Sequence, residues 1–468
     1  MKTNRLALVG AIITLGITST LMGSTNESKK NTAPYELQKA SNGMEIIAIP
    51  MAKVPLVTIV LVSKAGAMTE TPATNGLTHV WEHMFFKGNQ RLPDQEAFSK
   101  RVRQLGIEFN GDTSAEMVRY FFTLPSKNLD AGLQFMADAI STPLLEPKEL
   151  ERERKVVLDE YDRNASQPGF ELANIERMVI YGAQEHLRNP LGRRTLIEKA
   201  TREQLLQIKQ EVFVPANCAI VVAGDVDPKA LKELVDKHFA RWQTPPAWKP
   251  LDRGNFPDFP KTTDIVKTNP LAQNVNQQIT WKGPRASIDR KDTWAVDILI
   301  QLLEHRSGKF FKKYIDSGLT LNSGFTYHTQ GRAGELVIYT MTTPENASKA
   351  KAELLKEPEN WLKPNYFNDT QLEDVRRKLM IGYKMELNKP SAFGKTMAFW
   401  WATTGLNYYD TYLPGMEKVS LKDVQTVIKK YLINKSYVAT TLLSPKDAVT
   451  AKISDNAAGL TEKYLKNY

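Results

Sequence analysis

The stretch "GLTHVWEHMFFKGN" places His79, Glu82 and His83 close together in a segment that otherwise reads as a buried helix through Leu77, Val80, Trp81, Met84, Phe85 and Phe86. Helical residues four apart project from one face. Neutral imidazole nitrogens on that face suit Zn²⁺. Glu82 lies on the same side. It can reach a water beside such an ion without being a ligand, as a carboxylate general base beside a Lewis acid requires. The order His-x-x-Glu-His inverts the commoner His-Glu-x-x-His arrangement. The alternative is two histidines packed in a core. A catalytic zinc needs a third protein ligand, so the rest of the chain must offer one.

A source for that ligand is "PKELERERKVVLDEYDRN". Projected at about 100° per residue, Leu150, Val157 and Tyr161 share a narrow arc, with Val156 and Leu158 at its edges. Glu153 and Glu160 fall on this buried side, and Arg154 lies near it. Carboxylates among apolar residues are costly unless a cation compensates them. That cation is either a metal ion or an arginine.

These residues need a scaffold. "EIIAIP", "LVTIVLVSKAG", "YFFTLP", "NQQITWKG" and "ELVIYTM" read as strands, and Gln95 to Leu105, Leu129 to Ile140, Pro147 to Asn164 and Thr370 to Glu386 as helices. "IEKATREQLLQIKQEVFVPANCAIVVAGDVDP", from Ile197, matches "MEKVSLKDVQTVIKKYLINKSYVATTLLSPKD", from Met416, without a gap. Thr201 and Ser420 read as helix N-caps, and "CAIVVAG" and "YVATTLL" as strands. The repeat predicts two tandem homologous α/β domains of α+β class, each a mixed sheet with helices packed on it. Proline-rich "RWQTPPAWKPLDRGNFPDFPK" separates them as a linker. The expected boundaries are a signal peptide at 1–24, a metal-bearing domain at 34–243, the linker at 244–262 and a second domain at 263–468.

The 468 residues exceed one ordinary core. A composition of 42% hydrophobic and 24% charged residues is that of a soluble globular chain. The net charge of +10 is scattered rather than clustered, which argues against nucleic acid. A lone Cys218 cannot form an internal disulfide and reads as a small core residue. The start, "MKTNRLALVGAIITLGITSTLMGSTNESKK", reads as a secretory signal peptide, with an uncleaved anchor as the alternative. A periplasmic or secreted location follows, with no stable membrane span after signal removal.

The signature "HVWEH" followed by "ERERKVVLDEY", together with "FNGDTSAEMVRYFFTLP" and the tandem halves, resembles the pitrilysin and insulinase family of inverzincin metallopeptidases, which includes mitochondrial processing peptidase. The likeness covers nearly the whole mature chain. It implies that His79, His83 and Glu160 bind one Zn²⁺. It implies that Glu82 activates water and that the Glu153 carboxylate supports a histidine ligand. It also implies that Asn110, Gly111, Asp112 and Thr113 lie on or next to the strand that pairs with an extended peptide substrate. Family members with complete sites carry an arginine and a tyrosine in the second domain that hold the substrate carbonyl. In "FFKKYIDSGLTLNSG" those positions read Tyr314 and Leu321, with Lys312 and Lys313 close by. Neither Tyr314 nor Leu321 can do that work. The expected function is therefore an exported zinc metalloendopeptidase acting on peptides or unfolded segments. It would work with a homologous partner subunit that supplies the arginine and tyrosine, or as a homodimer. The alternative is a non-catalytic scaffold subunit of a paired complex.

Overall fold

The computed structural model describes residues 34–467, except 52–53, 252–255, 257, 260 and 333. The expected signal segment at 1–24 lies outside the described residues, as does part of the expected linker. Among the described residues between Phe239 and Thr263 there is no helix or strand. No helix among the described residues is long and apolar enough to cross a membrane.

Two tandem domains carry mixed sheets with helices packed on them. The first sheet contains β1 (Glu36–Lys39), β2 (Glu45–Pro50), β3 (Leu56–Ser63), β4 (Glu108–Thr113), β5 (Val118–Pro125) and β6 (Cys218–Gly224), in the order β1-β2-β6-β3-β5-β4. The second contains β7 (Thr263–Thr268), β8 (Val275–Lys282), β9 (Asn322–His328), β10 (Glu335–Thr342) and β11 (Tyr437–Leu443), in the order β7-β11-β8-β10-β9. From β2 onward the first order repeats in the second. β2 runs parallel to β6, β7 parallel to β11, and the other neighbours are antiparallel. The repeat read from the sequence is thus a structural one. "CAIVVAG" and "YVATTLL" coincide with β6 and β11, and Thr201 and Ser420 each close a capping box at their helix start.

Five helices of the first half are α1 (Leu77–Met84), α2 (Gln95–Leu105), α3 (Leu129–Ser141), α4 (Pro147–Ala165) and α5 (Phe170–Tyr181). Ile46, Val57, Ile59, Tyr120, Phe122 and Ile220 on one sheet face bury Leu77, Val80, Trp81, Leu133, Leu150 and Val157 of α1, α3 and α4.

Seven of the eight residues of β3 are buried, as is all of β6. Strands covered on both faces read as continuous apolar runs instead of alternating ones. The second cover of the first sheet is the helix Pro390–Thr403 from the far half of the chain. Its Phe393, Met397 and Trp401 meet Ile47, Val60, Val62 and Val221. Reciprocally, α5 leaves the first half to cover the second sheet, where Leu172 and Ile175 meet Ile265, Val438 and Leu442. The two halves exchange equivalent helices.

Polar bonds reinforce the exchange. Glu176 of α5 accepts from Gln278 Nε2 (2.5 Å) and Thr280 Oγ1 (2.7 Å). Glu116 accepts from the Gly331 and Arg332 amides (2.8 and 3.0 Å). Glu335 of β10 accepts from Tyr181 and pairs with His328 (3.0 Å) and Arg188 (3.3 Å). Burial opposes a charge on Glu335, yet His328, Arg188 and Tyr181 hold its carboxyl down at about 2. A depressed acid stabilises the fold above its unfolded value and loses that contribution as pH falls toward the folded value. The part of stability carried by Glu335, on the order of 3 kcal/mol, is therefore expected to be intact above about pH 4.5 and to decline toward pH 2. Denaturant midpoints across that window check it. The midpoints of Glu335→Gln should be lower at pH 6 and fall less steeply with acid; equal slopes would remove Glu335 as the cause.

Candidate metal centre

The apolar residues of α1 recur at Leu77, Val80, Trp81 and Met84, the spacing of one buried helical stripe. Trp81 stacks on Phe213 at 5.0 Å. With that face fixed in the core, His79, Glu82 and His83 leave α1 on another side. On α4, Pro147 occupies the first turn, and Leu150, Glu153, Val157 and Tyr161 are buried. Glu153 is 4% exposed, whereas Glu160 stands at the rim with its side chain 37% exposed. Val156, expected at the edge of the buried arc, is 45% exposed, whereas Leu158 at the other edge packs against the core.

The helices bring the expected ligands together. Glu160 Oε2 lies 3.7 Å from His79 Nε2 and 3.6 Å from His83 Nε2. These separations are too long for hydrogen bonds. They approach the edge of a tetrahedron whose corners lie about 2.0–2.1 Å from a central ion, roughly 3.4 Å. The nitrogen and carboxylate donors are of the kind Zn²⁺ takes, so the residues present fit that ion. His79, Glu82 and His83 also place their ligand atoms within 4.8 Å of one another. Burial, with the neighbouring His83 adding to it, pushes the His79 imidazole down to about 4. Burial also disfavours a proton on His83, but Glu153 and Glu160 outweigh it and raise the imidazole to about 9.

Among the described residues Glu153 pairs with no arginine. Its Oε2 faces His83 Nδ1 at 3.3 Å and its Oε1 takes Lys87 Nζ at 2.7 Å. Lys87 follows His83 by one helical turn, but nothing in the sequence alone marks its carboxylate partner. Arg154 instead donates to the Glu198 and Ala200 carbonyls.

Glu82 is 8% exposed, and burial pushes its carboxyl up to about 7. Thr113 Oγ1 donates to its Oε2 at 3.3 Å. A Cβ built on Gly111 would stand 2.5 Å from Glu82 Oε1. Asn110 to Thr113 all lie on β4, the edge strand of its sheet. Asn110 Oδ1 accepts from the Gly111 amide (2.9 Å), and Asp112 pairs with Arg119 (2.7 Å). Gly111→Ala is therefore expected to displace the Glu82 carboxylate while leaving His79, His83 and Glu160 in place. Turnover should fall by about 10²-fold, the scale of a 1 Å misplacement, with zinc content unchanged. Peptide hydrolysis assayed beside metal analysis reads both, and parental turnover would show that the contact does not matter.

In the second half, Tyr314 is fully buried in the π-type turn Lys312–Asp316, and Leu321 is 56% exposed beside β9. Lys313 pairs with Glu357 (2.5 Å) and Glu353 (2.8 Å). The helix Asp369–Glu386 repeats the Leu150, Val157 and Tyr161 stripe of α4 as Leu372, Leu379 and Tyr383. At the positions of Glu153 and Glu160 it holds Val375 and Gly382. The second half thus keeps the Leu372 and Leu379 packing without the carboxylates, while Tyr383 packs on the Ile47 and Val221 face of the first sheet.

Comparison with known proteins places the chain in a family. Residues 46–195 match the family pattern described as insulinase (peptidase family M16), and residues 199–379 match its inactive domain. The zinc protease PqqE of Helicobacter pylori is 26% identical over 331 residues, covering 68% of this chain and 72% of its own. The mitochondrial-processing peptidase subunit beta of Lentinula edodes is 25% identical over 432 residues, covering 87% and 90%. The first half of the periplasmic protease PqqL from Escherichia coli shares the fold at a TM-score of 0.76 with 17% identity, over 92% of this chain and 96% of that one. With both halves of the chain matched in order and its two-domain fold shared, the chain belongs to peptidase family M16, the insulinase family.

Proposed function

We propose that this chain is an exported zinc metalloendopeptidase that hydrolyses peptides or unfolded segments. In this reading residues 34–243 form the zinc-bearing domain and 263–468 its inactive counterpart, joined by the linker at 244–262. The observation that carries the reading is the convergence of His79 Nε2, His83 Nε2 and Glu160 Oε2 beside an independent carboxylate, Glu82. Zinc proteases among its relatives support the metal, and the description of Escherichia coli PqqL as periplasmic supports export.

His79, His83 and Glu160 would hold one zinc ion. When bound, the ion supplies Lewis-acid polarisation of the scissile carbonyl and lowers the pKa of the attacking water. Glu82 takes the proton of that water and returns it to the leaving amine. Its raised pKa suits both roles. Glu153, held by Lys87, orients the His83 ring through Nδ1. The edge strand β4, through Asn110 to Thr113, presents its free side to an extended peptide.

The developing oxyanion needs donors as well, each worth roughly 10²–10³ in rate. Tyr314 is buried, Leu321 has no donor, and Lys313 is engaged by two glutamates. A homologous partner subunit supplies the arginine and tyrosine in this reading, and a relative whose name marks it as one subunit supports it. The test is elemental analysis of the purified chain, with peptide hydrolysis measured alone and with the homologous chain encoded beside it. One zinc per chain is expected, with weak hydrolysis alone and strong hydrolysis together. Absence of zinc would leave the scaffold role, and full activity of the single chain would remove the partner.

A further inference from the structure

Glu70 precedes α1 and is 6% exposed. Its carboxylate accepts four hydrogen bonds from the beginning of that helix. Oε2 takes the Gly76 amide (2.9 Å) and Asn75 Nδ2 (3.0 Å), and Oε1 takes the Thr78 amide (2.8 Å) and Thr78 Oγ1 (2.7 Å). All four partners are donors, so both oxygens act as acceptors, as in a carboxylate. Burial pushes this carboxyl up while the four donors oppose it.

α1 needs such a partner. It has only eight residues, and its N-cap is Gly76 in the left-handed conformation (φ 100), with no capping side chain. A helix this short does not hold itself together, and its first amides are unsatisfied unless something caps them. Glu70 supplies the acceptor that the local sequence lacks. The same joint is fixed from behind. Asn75 Nδ2 also donates to the His186 and Asn189 carbonyls (3.0 and 2.9 Å), and a Cβ on Gly76 would meet Gly192 Cα at 2.7 Å.

A second observation links this joint to the metal centre. A zinc-binding histidine is normally oriented by an acceptor at its other ring nitrogen. His83 has one, Glu153. His79 Nδ1 is buried and has no hydrogen-bond partner among the described residues. The direction of the His79 ring is therefore set by the first turn of α1, and His79 directly follows Thr78, which holds two of the four Glu70 contacts.

We propose that Glu70 is a positioning residue for the metal centre, fixing the first turn of α1 and, through it, the His79 ligand. This rests on the zinc reading above. The test is zinc affinity of the full-length chain, measured by chelator competition, in Glu70→Gln. The amide keeps the shape but turns an NH₂ group toward donors. Affinity is expected to fall by about tenfold or more, the scale of losing an orienting partner, whereas a merely structural role would lower the melting temperature of the metal-free chain and leave zinc affinity in place. Thr78→Val removes one donor while keeping the carboxylate and should give a smaller loss; it carries the test if Glu70→Gln does not fold. Parental affinity in the folded variant overturns the role of Glu70 alone. A parent chain that binds no zinc overturns the metal reading with it.

Discussion

Glu82→Gln is expected to keep one zinc per chain and to lose turnover by about 10²–10⁴-fold, the range of a positioned general base. In the proposed reading Glu82 is a base and not a ligand, so its amide should leave His79, His83 and Glu160 in place. Glutamine fills the same space against Gly111 and can still accept from Thr113 Oγ1 through its oxygen. What it cannot do is take a proton from water. The measurement is initial-rate hydrolysis of a quenched fluorescent peptide, in the presence of the partner chain if one is needed, beside metal analysis of the same preparation. Parental rates would remove Glu82 from the chemistry. Loss of zinc would recast it as a ligand.

Glu160→Gln should fail at the other step. The nearby His83 imidazole lowers the Glu160 carboxyl most, burial opposes it, and His79 adds to the lowering. Its charge thus already serves the imidazole of His83. A neutral amide would leave a divalent ion with two imidazoles and no anionic ligand, only the Glu82 carboxylate beside it. Zinc affinity is expected to fall more than about 100-fold, beyond the 10–100-fold usual for an outer partner such as Glu153, and hydrolysis should vanish with it. The metal-free fold should melt near the parental temperature, because the Glu160 side chain is 37% exposed and packs no core. Equilibrium dialysis against buffered zinc separates the two glutamates. Full retention of zinc by Glu160→Gln would dissolve the three-ligand site.

The legible parts of the chain were those governed by local pattern. Leu77, Val80, Trp81 and Met84 mark α1 by period, and the ranges read for α2, α3 and α4 fall within a residue of those observed. Strands β1, β7 and β9 carry little legible signal; "ELQK" has one apolar residue in four. "TDIVKT" is short, and "NSGFTYH" begins with polar residues and a glycine that carry little strand signal. Periodicity also marks a face as buried without naming what buries it. The unbroken runs of β3 and β6 announced two covers, but nothing in "FGKTMAFWWAT" says that its cover belongs to a sheet some 170 residues or more earlier in the chain. Glu70 and Lys87 were invisible for a similar reason. Each acts through a partner whose position the fold decides, Glu70 through backbone amides and Lys87 through a carboxylate on another helix.

The reciprocal loan of Phe170–Tyr181 and Pro390–Thr403 makes the chain inseparable at its seam. A cut in the proline-rich stretch severs one covalent thread, yet each fragment keeps a helix sunk in the other, so the pieces stay clasped as a single particle. Either fragment made by itself would carry a bare apolar sheet face and an orphaned helix, and would seek a twin to cover them.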